Sequence, residues 1–382
     1  MDRSRRRLLV GTAQVLGAGW LGATLAGCAG GSARPEPDPL PREMGTLGVR
    51  QVWTAQLSAK IGYPLQVAAL ADRVVLAGDD GQVLTLDAGS GRELARASAG
   101  AALNAGVGSD GRIAAVVTRT NEVAALQGGQ LLWQRRLGTQ AYTAPLVAGG
   151  RIFVLGADRS LTAFDAAGGA RLWHVERRSD PLVLRQGGLL MPVGNTLVAG
   201  LSGRMVGVNP DTGDILWEAP IASARGVNDI EKLIDLVGGV YRQQDMVCAR
   251  AFDAAIGCVD TSRGATLWTT PAHGVTGITG DAQRLYGVES DGRVRAWHVA
   301  DGSRAWVNDQ LQWRRLGAPL LLGRSVIIGD EDGAVYLLDG AEGTLLGRVG
   351  TDKSGVAAAP VTAAGTLVVA TRSGRVYGFR TS

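Results

Sequence analysis

Short runs of alternating apolar and polar residues recur along the chain, each opened by a Gly-containing turn and closed by Asp or a similar polar residue. Five of them are nearly superimposable: "DGQVLTLDAGSGREL", "RSLTAFDAAGGARLW", "GRMVGVNPDTGDILW", "DGRVRAWHVADGSRAW" and "DGAVYLLDGAEGTLL". A period of two over five or six residues predicts half-buried strands, and the turn residues between runs predict hairpins. The chain therefore reads as an array of one small β unit.

The apolar residue two places after the turn position, which is Gly in five units, marks each unit: Val83, Val123, Leu161, Met205, Ile256, Val294, Val335 and Val376. Successive markers lie 38 to 51 residues apart, the length of a propeller blade of four strands. After Val376 too little chain remains for an outer strand, whereas "RQVWTAQL" ahead of the first full unit supplies one, with Trp53 at its centre. Pairing that segment with the last unit joins the two ends and removes two sheet edges. The expectation is an all-β, eight-bladed propeller of four-stranded antiparallel blades over residues 48–382, its ring closed by the N-terminal strand.

Trp133, Trp173, Trp217, Trp268 and Trp306, with Leu94 and Leu346 read at matching places, are expected to fill the wedges between blades, since each aromatic ring can bury about 150–250 Å². Asp87, Asp165, Asp260 and Asp339 are expected to form turns by accepting backbone N–H groups two residues on. The fragments "DDG", "SDG" and "DEDG" lack the ligand register and bidentate Glu of a calcium loop and read as hairpin turns.

The first residues break the pattern. Arg3, Arg5, Arg6 and Arg7 precede an apolar stretch from Leu8 to Gly27, the layout of an export signal over residues 1–27. Residues 28–47 turn from Gly and Ser to repeated Pro, a composition that builds no core and is expected to act as a partly extended tether. The formal charge of +4 falls to near +1 once the signal is removed, because four Arg against Asp2 leave with it. With no basic stripe, nucleic-acid binding is excluded.

Cys248 and Cys258 fall on facing positions of a hairpin turning around Asp253. A disulfide and a pair of small buried thiols both satisfy that placement. His174, His273 and His298 are scattered without metal-ligand spacing, and no nucleophile elbow, phosphate loop or HExxH is present. The expectation is a protein without catalytic, cofactor-binding or metal-binding residues.

Two resemblances sharpen this reading. "LAGC" resembles the lipobox of bacterial lipoproteins, which implies that Cys28 becomes the lipidated first residue; Ala29 after it implies sorting to the outer membrane, facing the periplasm. "SRRRLLV" resembles a twin-arginine motif as well as an ordinary secretory start, and both export routes stay open. The run "VNPDTGDILW" resembles the repeat of quinoprotein propellers, and together with the lipobox, length and eight units it is similar to the BamB family of the outer-membrane β-barrel assembly (BAM) machinery. That resemblance implies a scaffold without cofactor that binds the periplasmic POTRA region of BamA, with other BAM components and unfolded outer-membrane proteins as further partners.

The same resemblance carries docking residues onto this chain. "PLVLRQGG" resembles the family's loop of two Leu and an Arg, which implies contacts through Leu182, Leu184 and Arg185. "NDIEKLIDL" resembles its acidic loop and places one acid at Asp235, while the second falls at Val237. Two other readings remain: a lipoprotein propeller for a different periplasmic or cell-wall partner, and a pyrroloquinoline quinone dehydrogenase, whose greater length, catalytic Asp, calcium ligands and adjacent cysteines are not found here.

Overall fold

The computed structural model describes residues 34–40, 49–177, 183–223 and 234–381. The expected export signal over residues 1–27, Cys28 and Leu182 lie outside them. Every regular element among the described residues is a strand, and the strands form eight four-stranded antiparallel sheets. Each sheet is one blade, and in seven of them the strands run from innermost to outermost in chain order, as Ala68–Ala69, Arg73–Ala77, Gln82–Asp87 and Glu93–Ser98 do in blade 1. The eight marker residues all lie on the third strands and are all buried.

Blade 8 takes three strands from the C-terminal end and its outermost strand, Val49–Gln56, from the N-terminal side. That strand pairs with Arg375–Thr381 in a register that sets Trp53 opposite Gly378, so the ring closes as the sequence predicts.

One feature is common to every blade. The outermost strand carries a register shift beside the Trp position, so one residue is left without a partner: Val52, Leu94, Leu132, Leu172, Leu216, Leu267, Ala305 or Leu346. A bulge of this kind twists an outer strand and spoils its exposed edge as a template for further pairing. It also corrects the reading of Leu94 and Leu346. Those are the bulged residues; the Trp-equivalent positions of blades 1 and 7 are Ala95, opposite Thr85, and Gly347, opposite Leu337. Leu94 is accordingly 39% exposed instead of filling a wedge, whereas Leu346 is half-buried and still packs against the apolar cluster shared by blades 7 and 8.

The six Trp that do fill wedges share one environment. Each packs against a Gly of the next blade's Asp turn, held at positive φ (Gly91, Gly169, Gly213, Gly264, Gly302, Gly343), where an added Cβ would lie 2.4–2.9 Å from the Trp. Only Gly leaves room there. Five of the six donate their indole N–H to the carbonyl of the residue after the one that opens the turn, which is Asp in three of them, Asn209 in one and His298 in one: Trp53 to Ala88, Trp133 to Ala166, Trp173 to Pro210, Trp268 to Val299 and Trp306 to Gly340, at 2.8–3.0 Å. Asp87, Asp165, Asp260 and Asp339 hold those turns by accepting backbone N–H bonds, as expected. Blades 1 and 7 lack the Trp for a matching reason. Blade 2 turns on the short Gly128-Gly129 pair, and in blade 8 the third and outermost strands, Arg375–Thr381 and Val49–Gln56, are not consecutive in the chain and share no hairpin turn.

Cys248 and Cys258 are directly opposite in blade 5, with Cα atoms 4.0 Å apart, and their sulfurs are joined in a disulfide. The hairpin between them turns at Asp253 with φ of 48°.

Candidate partner-docking site

Connections from the outermost strand of one blade to the innermost strand of the next all emerge on one face of the ring, together with the turns between second and third strands. The longest of them, between Pro220 and Tyr241, and the next longest, between Val175 and Leu190, carry the residues that the sequence singles out.

The second half of the longer connection is fixed through its backbone. Leu236 bridges to Ala251, Val237 bridges to Gly188 and donates to the Arg250 carbonyl at 3.0 Å, and Gly238 donates to the Gly187 carbonyl at 2.8 Å. The stretch Asp235–Gly238 thus stitches the loop ahead of blade 4 to the second strand of blade 5. Gly188 in turn donates to Thr143 Oγ1 at 2.9 Å, and Gln186 Nε2 donates to the Val275 carbonyl at 2.6 Å. These bonds hold the backbone of Asp235–Gly238 in place, so that this stretch presents its side chains at fixed positions.

Asp235 faces Arg159, which sits at positive φ in the turn of blade 3, with 3.3 Å between Nη2 and Oδ1. The guanidinium is 6% exposed and the carboxylate 20%, so the pair is largely withdrawn from water. Leu184, Leu155, Tyr142 and Leu236 complete a shallow pocket around it. Arg185 is exposed beside the pocket, its guanidinium 5.9 Å above the Tyr142 ring, close enough for a cation–π contact that leaves its N–H donors free to point outward.

Leu184 and Asp235, about fifty residues apart in the chain, are therefore brought to one pocket, with Arg185 at its edge over Tyr142. Two partners were invisible to sequence reasoning. Arg159 lies in a turn of blade 3 and Tyr142 on the connection leading into that blade, and nothing local marks them apart from the irregular "GADRS" turn. Val237, where the second acid of the family's loop falls, is 1% exposed on the wall of the same pocket as Arg159, so the position is interior and not part of an exposed acidic surface.

The arrangement offers apolar area, a planar cation and a neutralised ion pair. It brings together no nucleophile with a base. Among the described residues no group of His, Cys, Asp and Glu is placed to hold a metal ion. His174 bonds Thr162 Oγ1 at 2.8 Å in blade 3, and His273 and His298 lie in other parts of the ring.

A sequence model of the family described as "Outer membrane protein assembly factor BamB" matches residues 79–308. The chain belongs to the BamB family. The Burkholderia pseudomallei member is 37% identical over 91% of this chain and 92% of its own length, and the Bordetella pertussis member 31% identical over 95% and 98%. The crystal structure of BamB from Moraxella catarrhalis superposes with a TM-score of 0.80 at 23% identity, covering 87% of this chain and all but 1% of that one. A quinohemoprotein alcohol dehydrogenase from Comamonas testosteroni also superposes, with a TM-score of 0.67 at 14% identity. That second likeness is one of fold, shared by the BamB family with enzymes of a different kind.

Proposed function

We propose that this protein is a non-enzymatic scaffold of the outer-membrane β-barrel assembly machinery, anchored through a lipid on Cys28 at the periplasmic face of the outer membrane, and that it docks on the POTRA region of BamA to assist insertion of β-barrel proteins. The convergence of Leu184 and Asp235 on one pocket, with Arg185 at its edge over Tyr142, carries the reading. A rigid apolar and aromatic floor with a pre-positioned Arg is the make-up of an interface hot spot, and Arg is among the residues enriched there. Arg159 neutralises Asp235 and holds the loop behind Leu184, so its role is positioning. Leu182, outside the described residues, extends the same loop.

Bulged outer strands favour a scaffold that orients its partner over one that pairs client strands along its rim. The test is co-purification from detergent-solubilised membranes. Arg185→Ala and Leu184→Ala are each expected to reduce capture of a BamA-like barrel by about tenfold or more, equivalent to about 1.4 kcal/mol, with unchanged melting. Full capture by the folded double variant would overturn the docking site, and recovery of a different periplasmic protein by the wild type would overturn the assignment of partner.

A further inference from the structure

We propose that the Pro-rich segment Glu36–Leu40 is a strap seated on the ring, which shortens the leash between the lipid anchor and the propeller; the leash rests on the reading of Cys28 as the lipidated residue. Leu40 is half-buried and packs against the apolar cluster of blades 6 and 7 that includes Leu311, Leu316 and Ile328. Two residues before it, the Asp38 carbonyl accepts a hydrogen bond from Arg314 Nη2 at 2.7 Å. Arg314 is itself placed by the Tyr336 ring, 5.9 Å from its guanidinium carbon.

The sequence suits the segment to this role. Pro35, Pro37, Pro39 and Pro41 alternate with other residues, which presets an extended polyproline conformation without internal hydrogen bonds. Its carbonyls are thus free to accept from the ring, and little chain entropy remains to be lost on seating. Glu36 and Asp38 bring negative charge toward a connection that carries Arg314 and Arg315.

The consequence is geometric. From Cys28 to Val49, where the ring begins, 21 residues could stretch over roughly 70–75 Å. With the strap seated, only the eight residues from Cys28 to Glu36 remain, at most about 29 Å. Arg314 lies on an outermost-to-innermost connection, hence on the face that carries Leu184, Arg185 and Asp235. The leash therefore leaves from the docking face and holds it within a bounded distance of the bilayer.

The test uses the full lipidated protein in vesicles of phosphatidylethanolamine and phosphatidylglycerol, with nitroxides on Glu36→Cys and Arg315→Cys and distances read by pulsed electron resonance. A narrow distribution is expected, and Leu40→Ser should broaden it toward the spread of a free chain, about 20 Å for the 13 residues between Glu36 and Val49. A distribution already broad in the doubly labelled protein with Leu40 intact, or one left equally narrow by Leu40→Ser, would overturn the strap. Palmitate labelling of the same preparation reports the anchor separately. A narrow distribution without palmitate would overturn the leash while leaving the seated segment in place.

Discussion

Trp53 offers the sharpest test of how the ring is held. It belongs to the closing strand, is 8% exposed, and sits between Gly378 of its own blade and Gly91 of blade 1, where added Cβ atoms would come within 2.1 and 2.5 Å of the indole. Its N–H donates to the Ala88 carbonyl at 3.0 Å in a buried bond. Trp53→Ala removes both the filling of the joint and the donor. The cavity costs about 3–5 kcal/mol, and the orphaned carbonyl adds about 1 kcal/mol. That is a large part of a domain stability of roughly 5–15 kcal/mol. In thermal melts of the signal-free protein the midpoint should fall by roughly 5–10 °C. Leu94→Ala, at the bulge, is the control and should stay within about 0.5 kcal/mol of wild type. A midpoint unchanged by Trp53→Ala, or a loss no larger than that of Leu94→Ala, would refute the claim that this joint closes the ring.

Other expectations follow from buried charge. Val237→Asp should destabilise the protein, visible in urea titration, because the new carboxylate would be taken out of water at a position that is 1% exposed. Arg250 and Glu289, fully and almost fully buried with 3.6 Å between Nη1 and Oε1, clamp blade 5 to blade 6 above the Trp297 ring. Glu289→Gln should cost about 3–5 kcal/mol, whereas Arg250→Met with Glu289→Leu should recover most of that loss in denaturant melts. Burial pushes the Asp352 carboxyl up, but hydrogen bonds from Ser373, Ser354 and Thr371 outweigh it and bring its pKa to about 2. A depressed folded value means that its stabilisation of the joint between blades 7 and 8 is full above about pH 4 and fades as pH falls toward 2. The difference in melting between wild type and Asp352→Asn should shrink over that window, and a constant difference would contradict it.

Much of this molecule is written locally. Strand, turn and blade number follow from alternation, Gly and Asp at fixed offsets, and one marker per unit, because hairpins between consecutive strands are short-range structures. Ring closure was legible too, since a blade lacking its outer strand and a strand lacking its blade stand at opposite ends of the same chain. Tertiary structure decided what depends on neighbours in space. The bulge in each outer strand displaced Leu94 and Leu346 by one position, which alternation cannot show because the extra residue interrupts the period itself. The absence of Trp from blades 1 and 7 is set by the turn of the adjacent blade. Only packing could reveal that Val237 is interior, that Arg159 and Tyr142 stand behind Asp235 and Arg185, and that Leu40 of the Pro-rich segment rests on blades 6 and 7. Each of those facts joins residues whose separation along the chain carries no signal, and whose contact exists only once the blades are side by side.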